Sequence, residues 1–288
     1  MEITLDLIKE LRNKTGAGIN DCKKALEEAT GDLSKAIEIL RKKGAAMAVK
    51  RADKIANEGA VKSAISENKK TGVLIEVNCE TDFVSKGDEF QKFSEGIAKT
   101  ALKINSDSIE KILSSAGENG LTVKESIDTI MGKVGEKTEL KRAKLIDIKD
   151  GFVCGYIHFG SKLGALVALK GNLNEDSEKL GKNIAMQIVA MNPISIDRNG
   201  IDKTVIEKEK EIYLTVAKNE NKPDKIAQTI VNNKLDRFFQ DNCLLEQEYI
   251  NESGKSIKDV ITEFNKRNSN NLEIASFVRY QLGEESKN

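Results

Sequence analysis

From Ile3 onward the apolar residues fall at helical spacing. Ile3, Leu7, Ile8 and Leu11 share one face of a predicted helix, and Thr4 is placed to cap its start. The turn Thr15-Gly16-Ala17-Gly18 interrupts the pattern. A second helix carries Ile19, Cys22, Leu26 and Ala29 and stops at Gly31. A third, capped by Asp32, carries Leu33, Ala36, Ile37 and Leu40 and is expected to end at Gly44. Three helices of this length make a small bundle with a thin core, the kind of module that binds something. Residues 41–54 (RKKGAAMAVKRADK) then carry six positive charges against Asp53 alone. They read as a solvated linker or a helix with a basic face, with a nucleic-acid patch as the alternative.

Past residue 57 the pattern changes from helical to strand-like, and it repeats. EGAVKSAI…TGVLIEV, starting at Glu58, resembles DGFVCGYI…LGALVAL, starting at Asp150. Gly59 and Gly151 stand 92 positions apart, and so do Gly72 and Gly164. Each copy reads as a β-hairpin followed by a helix, FQKFSEGIAKTAL in the first and SEKLGKNIAMQIVAM in the second. Each then offers another helix and a further strand: SIDTIMGKV and TELKRAKLIDI in copy one, SIKDVITEF and LEIASFVRYQL in copy two. Two related α+β units packed side by side are the simplest account. Copy two is interrupted by a strongly helical stretch from Lys203 to about Gln240, broken at NENKP (Asn219 to Pro223). Val205, Ile212 and Val216 share a face of its first arm, and Ile226, Ile230 and Phe238 share one of its second. This predicts a helical hairpin, a coiled coil that serves association or acts as a spacer.

The fold class expected is therefore α+β, in four parts: a three-helix domain with its basic linker (1–54), core subdomain one (55–148), core subdomain two (149–202 and 241–288) and the inserted hairpin (203–240). Charged residues make up 32% of the chain and hydrophobic ones 39%, as in a soluble globular protein. Lys plus Arg and Asp plus Glu both number 46, so the basic excess typical of a phosphate-backbone binder is missing. No apolar run approaches the ~18 residues of a membrane span. The N-terminus carries charges where a secretion signal would be apolar. Four separated cysteines (Cys22, Cys79, Cys154, Cys243) share no metal-like spacing and read as reduced thiols in the cytoplasm.

Catalytic constellations are hard to find. A single histidine, His158, excludes a multi-His metal site and makes a His-based triad difficult to place. Gly254-Lys255-Ser256 looks like the end of a phosphate-binding loop, but Tyr249 stands where the required earlier glycine would be. Neither an enzyme, a cofactor nor a bound metal is expected. One stretch stands out instead. In NCETDFVSKGDEF, Asn78 to Phe90, a strand-like run gives way to Thr81-Asp82-Phe83-Val84 in a chain poor in aromatics. From the residues alone, Phe83 either packs beneath the sheet or points outward as a wedge.

At this point several unrelated segments agree with one family. KELRNKTGAGINDCKKALEEATGDLSKAIEILRKKG, EVNCETDFVSK, KVGEKTELKR and GYIHFGSKLGALVALKG resemble the bacterial elongation factor Ts family, in order and over nearly the whole chain. The resemblance implies a ubiquitin-associated-like (UBA-like) three-helix domain, two related core subdomains and an inserted helical hairpin. It also implies nucleotide exchange on elongation factor Tu, a GTPase bound both with GDP and free of nucleotide. Thr81, Asp82, Phe83 and Val84 would contact that GTPase and dislocate its Mg²⁺, with Phe83 as the wedge. Lys23, Arg51 (where the family usually has lysine), Val134, Gly135 and His158 match further contact positions. A lone histidine in a strand otherwise suggests a satisfied structural role. The complex could dimerise through the hairpin, and no direct contact with nucleic acid or membrane is implied. An RNA- or ribosome-binding protein using residues 41–54 is the alternative from another class. Some members extend past the segment matching Arg279 to Glu284 into a further GTPase-binding helix, whose contact is expected to be missing or rudimentary here.

Overall fold

The computed structural model describes residues 3–117, 120–219 and 223–284. Its first layer is the helical bundle of α1 (Leu5–Thr15), α2 (Ile19–Glu28) and α3 (Leu33–Arg51). Thr4 accepts from the Leu7 N–H, and Asp32 accepts from those of Ser34 and Lys35, so both predicted caps are made. Leu11, Cys22, Leu26 and Ala36 are sealed among the three helices. The core is thin, as the short apolar faces require.

Two three-stranded antiparallel sheets follow. The first is built from β1 (Glu58–Ile65), β2 (Thr71–Cys79) and β3 (Thr138–Asp147), in the order β1-β2-β3. Between β2 and β3 run α4 (Asp82–Ser85), α5 (Asp88–Lys103), α6 (Ile109–Ser114) and α7 (Val123–Val134). The second sheet has β4 (Gly151–Ile157), β5 (Leu163–Lys170) and, after α8 (Glu175–Met191), α9 (Lys203–Asn219), α10 (Asp224–Asn242) and α11 (Ile257–Asn268), the last strand β6 (Glu273–Gln281). The protein is a mixed α+β fold.

The repeat seen in the sequence is a two-fold in space. β2 slips register against β3 between Glu76 and Val77, and β5 does so against β6 between Ala168 and Leu169, at the same 92-residue offset. One face of each sheet is covered by its own helices, around Phe90, Ile97 and Ile127 in one half and Phe152, Ile184 and Ile261 in the other. The opposite faces pack on each other through Val61, Leu74 and Ile146 against Val153, Leu166 and Tyr280. At this contact Gly72 and Gly164 carry no Cβ because none fits. One on Gly72 would press on Val153 and Leu166, and one on Gly164 on Val61 and Leu74. The backbone obeys the same symmetry: the Val61 N–H donates to the Ser161 carbonyl and the Val153 N–H to that of Lys69, each at 2.7 Å.

Two expectations need correction. The third helix does not end at Gly44 but runs on to Arg51. Gly44 is where α3 crosses α7, and a Cβ there would run into the carbonyl oxygen of Asp128. The glycine marks a close helix crossing, which outweighs its cost of roughly 1 kcal/mol in a helix interior. The basic stretch is thus helical through Arg51, and four of its cations are paired: Arg41 with Glu125, Lys42 with Glu38, Lys43 with Asp21, and Arg51 with Glu80. In α9 and α10, the apolar positions that become buried are Ala217, Ala227, Val231 and Phe239, whereas Val205, Ile212, Val216 and Ile226 stay exposed. The break expected at 219–223 lies between these helices, and its residues 220–222 are outside the described residues, as are residues 285–288 of the tail.

Candidate interaction site around the Thr81–Val84 turn

Leaving β2, the chain makes a single helical turn, α4. Thr81 caps it, its hydroxyl accepting from the Val84 N–H at 3.4 Å. Val84 is half-buried and packs against the core of the first half. Ser85 is buried. With its underside anchored, the turn holds Phe83 outward with 86% of its surface exposed. An apolar ring so placed gains nothing in the isolated chain. Asp82, beside it, forms an ion pair with Lys86 at 2.7 Å. That hydrogen bond, and the charges of Lys86 and Lys162, hold the Asp82 carboxyl below the usual carboxylate range.

Three distant segments brace this turn. Glu136, directly after the αL cap Gly135 of α7, accepts from the Thr81 N–H at 3.1 Å and from its hydroxyl at 2.8 Å. Arg51, the last residue of α3, grips both carboxylate oxygens of Glu80 at 2.8 and 2.7 Å. Burial pushes the Glu80 carboxyl up, but the Lys137 N–H and the Arg51 guanidinium outweigh it and leave it below the ordinary value. The third brace comes from the other half of the core. The Ser85 carbonyl accepts from Gln91 Nε2 at 2.5 Å, and Gln91 Oε1 accepts from the hydroxyl of Ser161, in the β4–β5 turn, at 3.3 Å.

The fold therefore gathers Thr81, Asp82, Phe83, Val84, Arg51, Val134, Gly135 and the turn beside His158 into one region. Val134 closes the last turn of α7, and Gly135 supplies the left-handed cap with φ of 72°. His158 is exposed at the end of β4, its Nδ1 lying 2.9 Å from the Tyr156 hydroxyl. Lys23 stands apart on the exposed side of α2, paired with Glu27 at 3.8 Å. The sequence reading missed Glu80, Glu136 and Gln91, which brace the turn through contacts far apart in the chain. It also missed Phe159, whose signal was an aromatic in the otherwise polar turn HFGSK. All four cysteines are free and buried. Cys79, behind the turn, is pushed up to about 12 by burial and by the charge of Glu136, which makes it a poor nucleophile. Gly254-Lys255-Ser256 is no phosphate loop: Lys255 is paired with Glu252 and Glu263, and Ser256 caps α11.

Among the described residues no helix is long and apolar enough to cross a membrane. The family model described as elongation factor TS matches residues 80–284, a span that begins at the braced turn. Over 285 residues the chain is 47% identical to an elongation factor Ts from Chlorobium phaeobacteroides (strain BS1), covering 98% of this chain and 99% of the relative. It is 43% identical over 286 residues to one from Chloroherpeton thalassium (strain ATCC 35110 / GB-78), with coverage of 98% and 99%. An elongation factor Ts from Prosthecochloris aestuarii (strain DSM 271 / SK 413) is 45% identical over 285 residues, at the same coverage. With a family model spanning most of its length and relatives matched end to end, the chain belongs to the elongation factor Ts family.

Proposed function

We propose that this protein is a translation elongation factor of the cytoplasm that binds elongation factor Tu with GDP and drives the nucleotide out, so that GTP can enter. Phe83 is the wedge. The observation that carries this reading is its 86% exposure on a helical turn that is anchored through Val84 and braced by Arg51, Glu136 and Gln91. Burying the ring in a partner would release ~1.5–3 kcal/mol. Spent on moving the groups that hold Mg²⁺ and the phosphates, that energy weakens nucleotide binding. Coupling is reciprocal: if nucleotide loosens the grip of the factor on the GTPase, the factor loosens nucleotide by the same ratio. The protein then needs no covalent chemistry of its own.

Within this reading Asp82 sets the angle at which the ring enters, and Thr81 and Val84 fix the turn. Arg51 acts from behind by holding Glu80, while Val134 and Gly135 deliver Glu136 to Thr81. Lys23 and His158 are outer contacts. The four-part division at 54, 148, 202 and 240 gives the UBA-like bundle a docking role and the α9–α10 hairpin an association role, including dimerisation of the complex. The pairing of four cations in the 41–54 segment weighs against RNA binding as its main task. The test is release of labelled GDP from elongation factor Tu. Addition of the protein should accelerate it strongly, and Phe83→Ala should remove most of the acceleration without lowering the melting temperature. Unimpaired release by a destabilised variant would make Phe83 an ordinary packing residue and end this reading.

A further inference from the structure

One helix runs from the N-terminal bundle to the wedge turn with no linker between them. α3 is sealed into the bundle at Ala36 and ends at Arg51, which grips Glu80. On the way it is pinned to the first half of the core. Gly44 and Gly132 meet where it crosses α7: a Cβ on Gly44 would run into the Asp128 carbonyl, and one on Gly132 would lie 3.1 Å from the Gly44 Cα. Arg41 pairs with Glu125 of α7. Ala48, one turn beyond Gly44, packs against the core of the first half.

α7 leads to the same place. Past its cap Gly135, Glu136 holds Thr81. The Lys137 N–H then donates to Glu80 Oε1 at 2.6 Å, and the same oxygen accepts from Arg51 at 2.8 Å. Two helices that cross at a pair of glycines thus meet again on one carboxylate, next in the chain to Thr81. The Glu80 side chain keeps only 16% of its surface exposed, so these bonds are largely shielded from water. The two-fold frame does not require a carboxylate there. In the second half the equivalent residue is Asn172, which is held by its backbone: its N–H donates to Asn270 Oδ1 and its carbonyl accepts from Asn270 Nδ2, each at 3.0 Å.

We infer that Glu80 is a positioning residue that couples the N-terminal bundle to the wedge, so that seating the bundle on the GTPase and driving Phe83 in are one event. This rests on the exchange reading above, with its docking role for the bundle. The physical reason is close packing. With the crossing and the carboxylate clasp both closed, the bundle cannot tilt without carrying the end of α3, and Glu80 with it. A displacement at the bundle therefore reaches Thr81 and the turn that bears the ring. Such a two-point connection is what lets binding energy at one site act at another.

The test uses the full chain with elongation factor Tu and labelled GDP, and reads release over a range of concentrations of the factor. The unaltered protein is measured first; if it does not accelerate release, the exchange reading fails and this inference falls with it. Given an active protein, Glu80→Ala should lower the maximal acceleration about three- to thirtyfold. The half-saturating concentration should stay within about twofold, because the bundle still docks but no longer drives the ring. Glu80→Gln, whose Oε1 can accept from both Arg51 and Lys137, should restore most of the maximum. Gly44→Ala should lower it too, and should add nothing in a Glu80→Ala chain, because both changes break one connection. Gly132→Ala, a gentler intrusion at the same crossing, takes its place if Gly44→Ala does not fold. An unchanged maximum for Glu80→Ala, with or without a raised half-saturating concentration, overturns the inference and leaves the exchange reading intact. So does a maximum unmoved by the change at the crossing, or independent losses from the two sites, either of which would make Glu80 a local brace of the turn. A fall in melting temperature with the maximum per folded molecule preserved overturns it as well.

Discussion

Across the two-fold that relates the halves of the core, β2 leads through residues 80–87 into α5, whereas β5 leads through residues 171–174 straight into α8. The longer connection contains α4 and lifts Phe83 into solvent. The shorter one contains Asn174, which caps α8 through a capping box with Ser177 and does nothing more conspicuous. The hairpin tips differ in the opposite sense: the first half places Glu67 where the second places Phe159. The sheets, bulges and mutual contacts are duplicated, and the exposed aromatics are not. What the copies share is what packing requires. What they do not share lies in connections, where a change costs the core nothing and can serve a partner.

The largest effects should fall on the shared part. Phe90 and Phe152 are buried in the cores of the two halves. Truncating either to alanine should cost about 3–5 kcal/mol in urea unfolding. A loss below about 1 kcal/mol at one of them would show that the halves do not carry equal loads, despite their matched frames.

Next comes the crossing of the N-terminal bundle on the first half. Gly44→Ala should lower stability by about 1–3 kcal/mol, because the added methyl forces α3 off α7. The shift should also pull Arg51 from Glu80 and weaken binding to the GTPase. A calorimetric trace identical to that of the unaltered protein would mean the helices separate without strain.

The two caps sharpen the contrast further. Asn174→Ala should cost about 1 kcal/mol of global stability, since α8 belongs to the core of the second half. Thr81→Ala should leave global unfolding nearly unchanged but speed amide exchange at Val84 and Ser85, which Thr81 holds through its hydroxyl and its carbonyl. Equal global losses at both caps would make α4 part of the folding core, contrary to its role as a mounted turn.

The smallest effect is on pH. The folded Glu80 carboxyl lies below its ordinary value, so its ionised form stabilises the protein above that value. The contribution disappears as pH falls through the ordinary range toward the lower folded value. From about pH 5 downward the melting temperature of the unaltered protein should fall more steeply than that of Glu80→Gln. Parallel curves would show that Arg51 and the Lys137 N–H do not depend on the charge. The equivalent position in the second half, 92 residues on, is Asn172, which carries no charge.

By itself the chain determined the element order, the caps at Thr4 and Asp32, and the two-fold, because each is written in short-range periodicity or in an equal spacing of glycines. It also placed Thr81 to Val84 in a family motif. Periodicity could not say which way Phe83 faces, because a four-residue helix has too few positions to show a buried side. Only the fold decided that Val84 goes in and Phe83 stays out. It did so through bonds that cross large sequence gaps: Arg51 to Glu80, Thr81 to Glu136, Gln91 to Ser161. Gly44 misled for a related reason. A glycine reads as a stop in one dimension, and it takes a second helix lying against it to turn it into a crossing point. In α9 the spacing marked a face of Val205, Ile212 and Val216, but those residues stay exposed and Ala217 is the one buried.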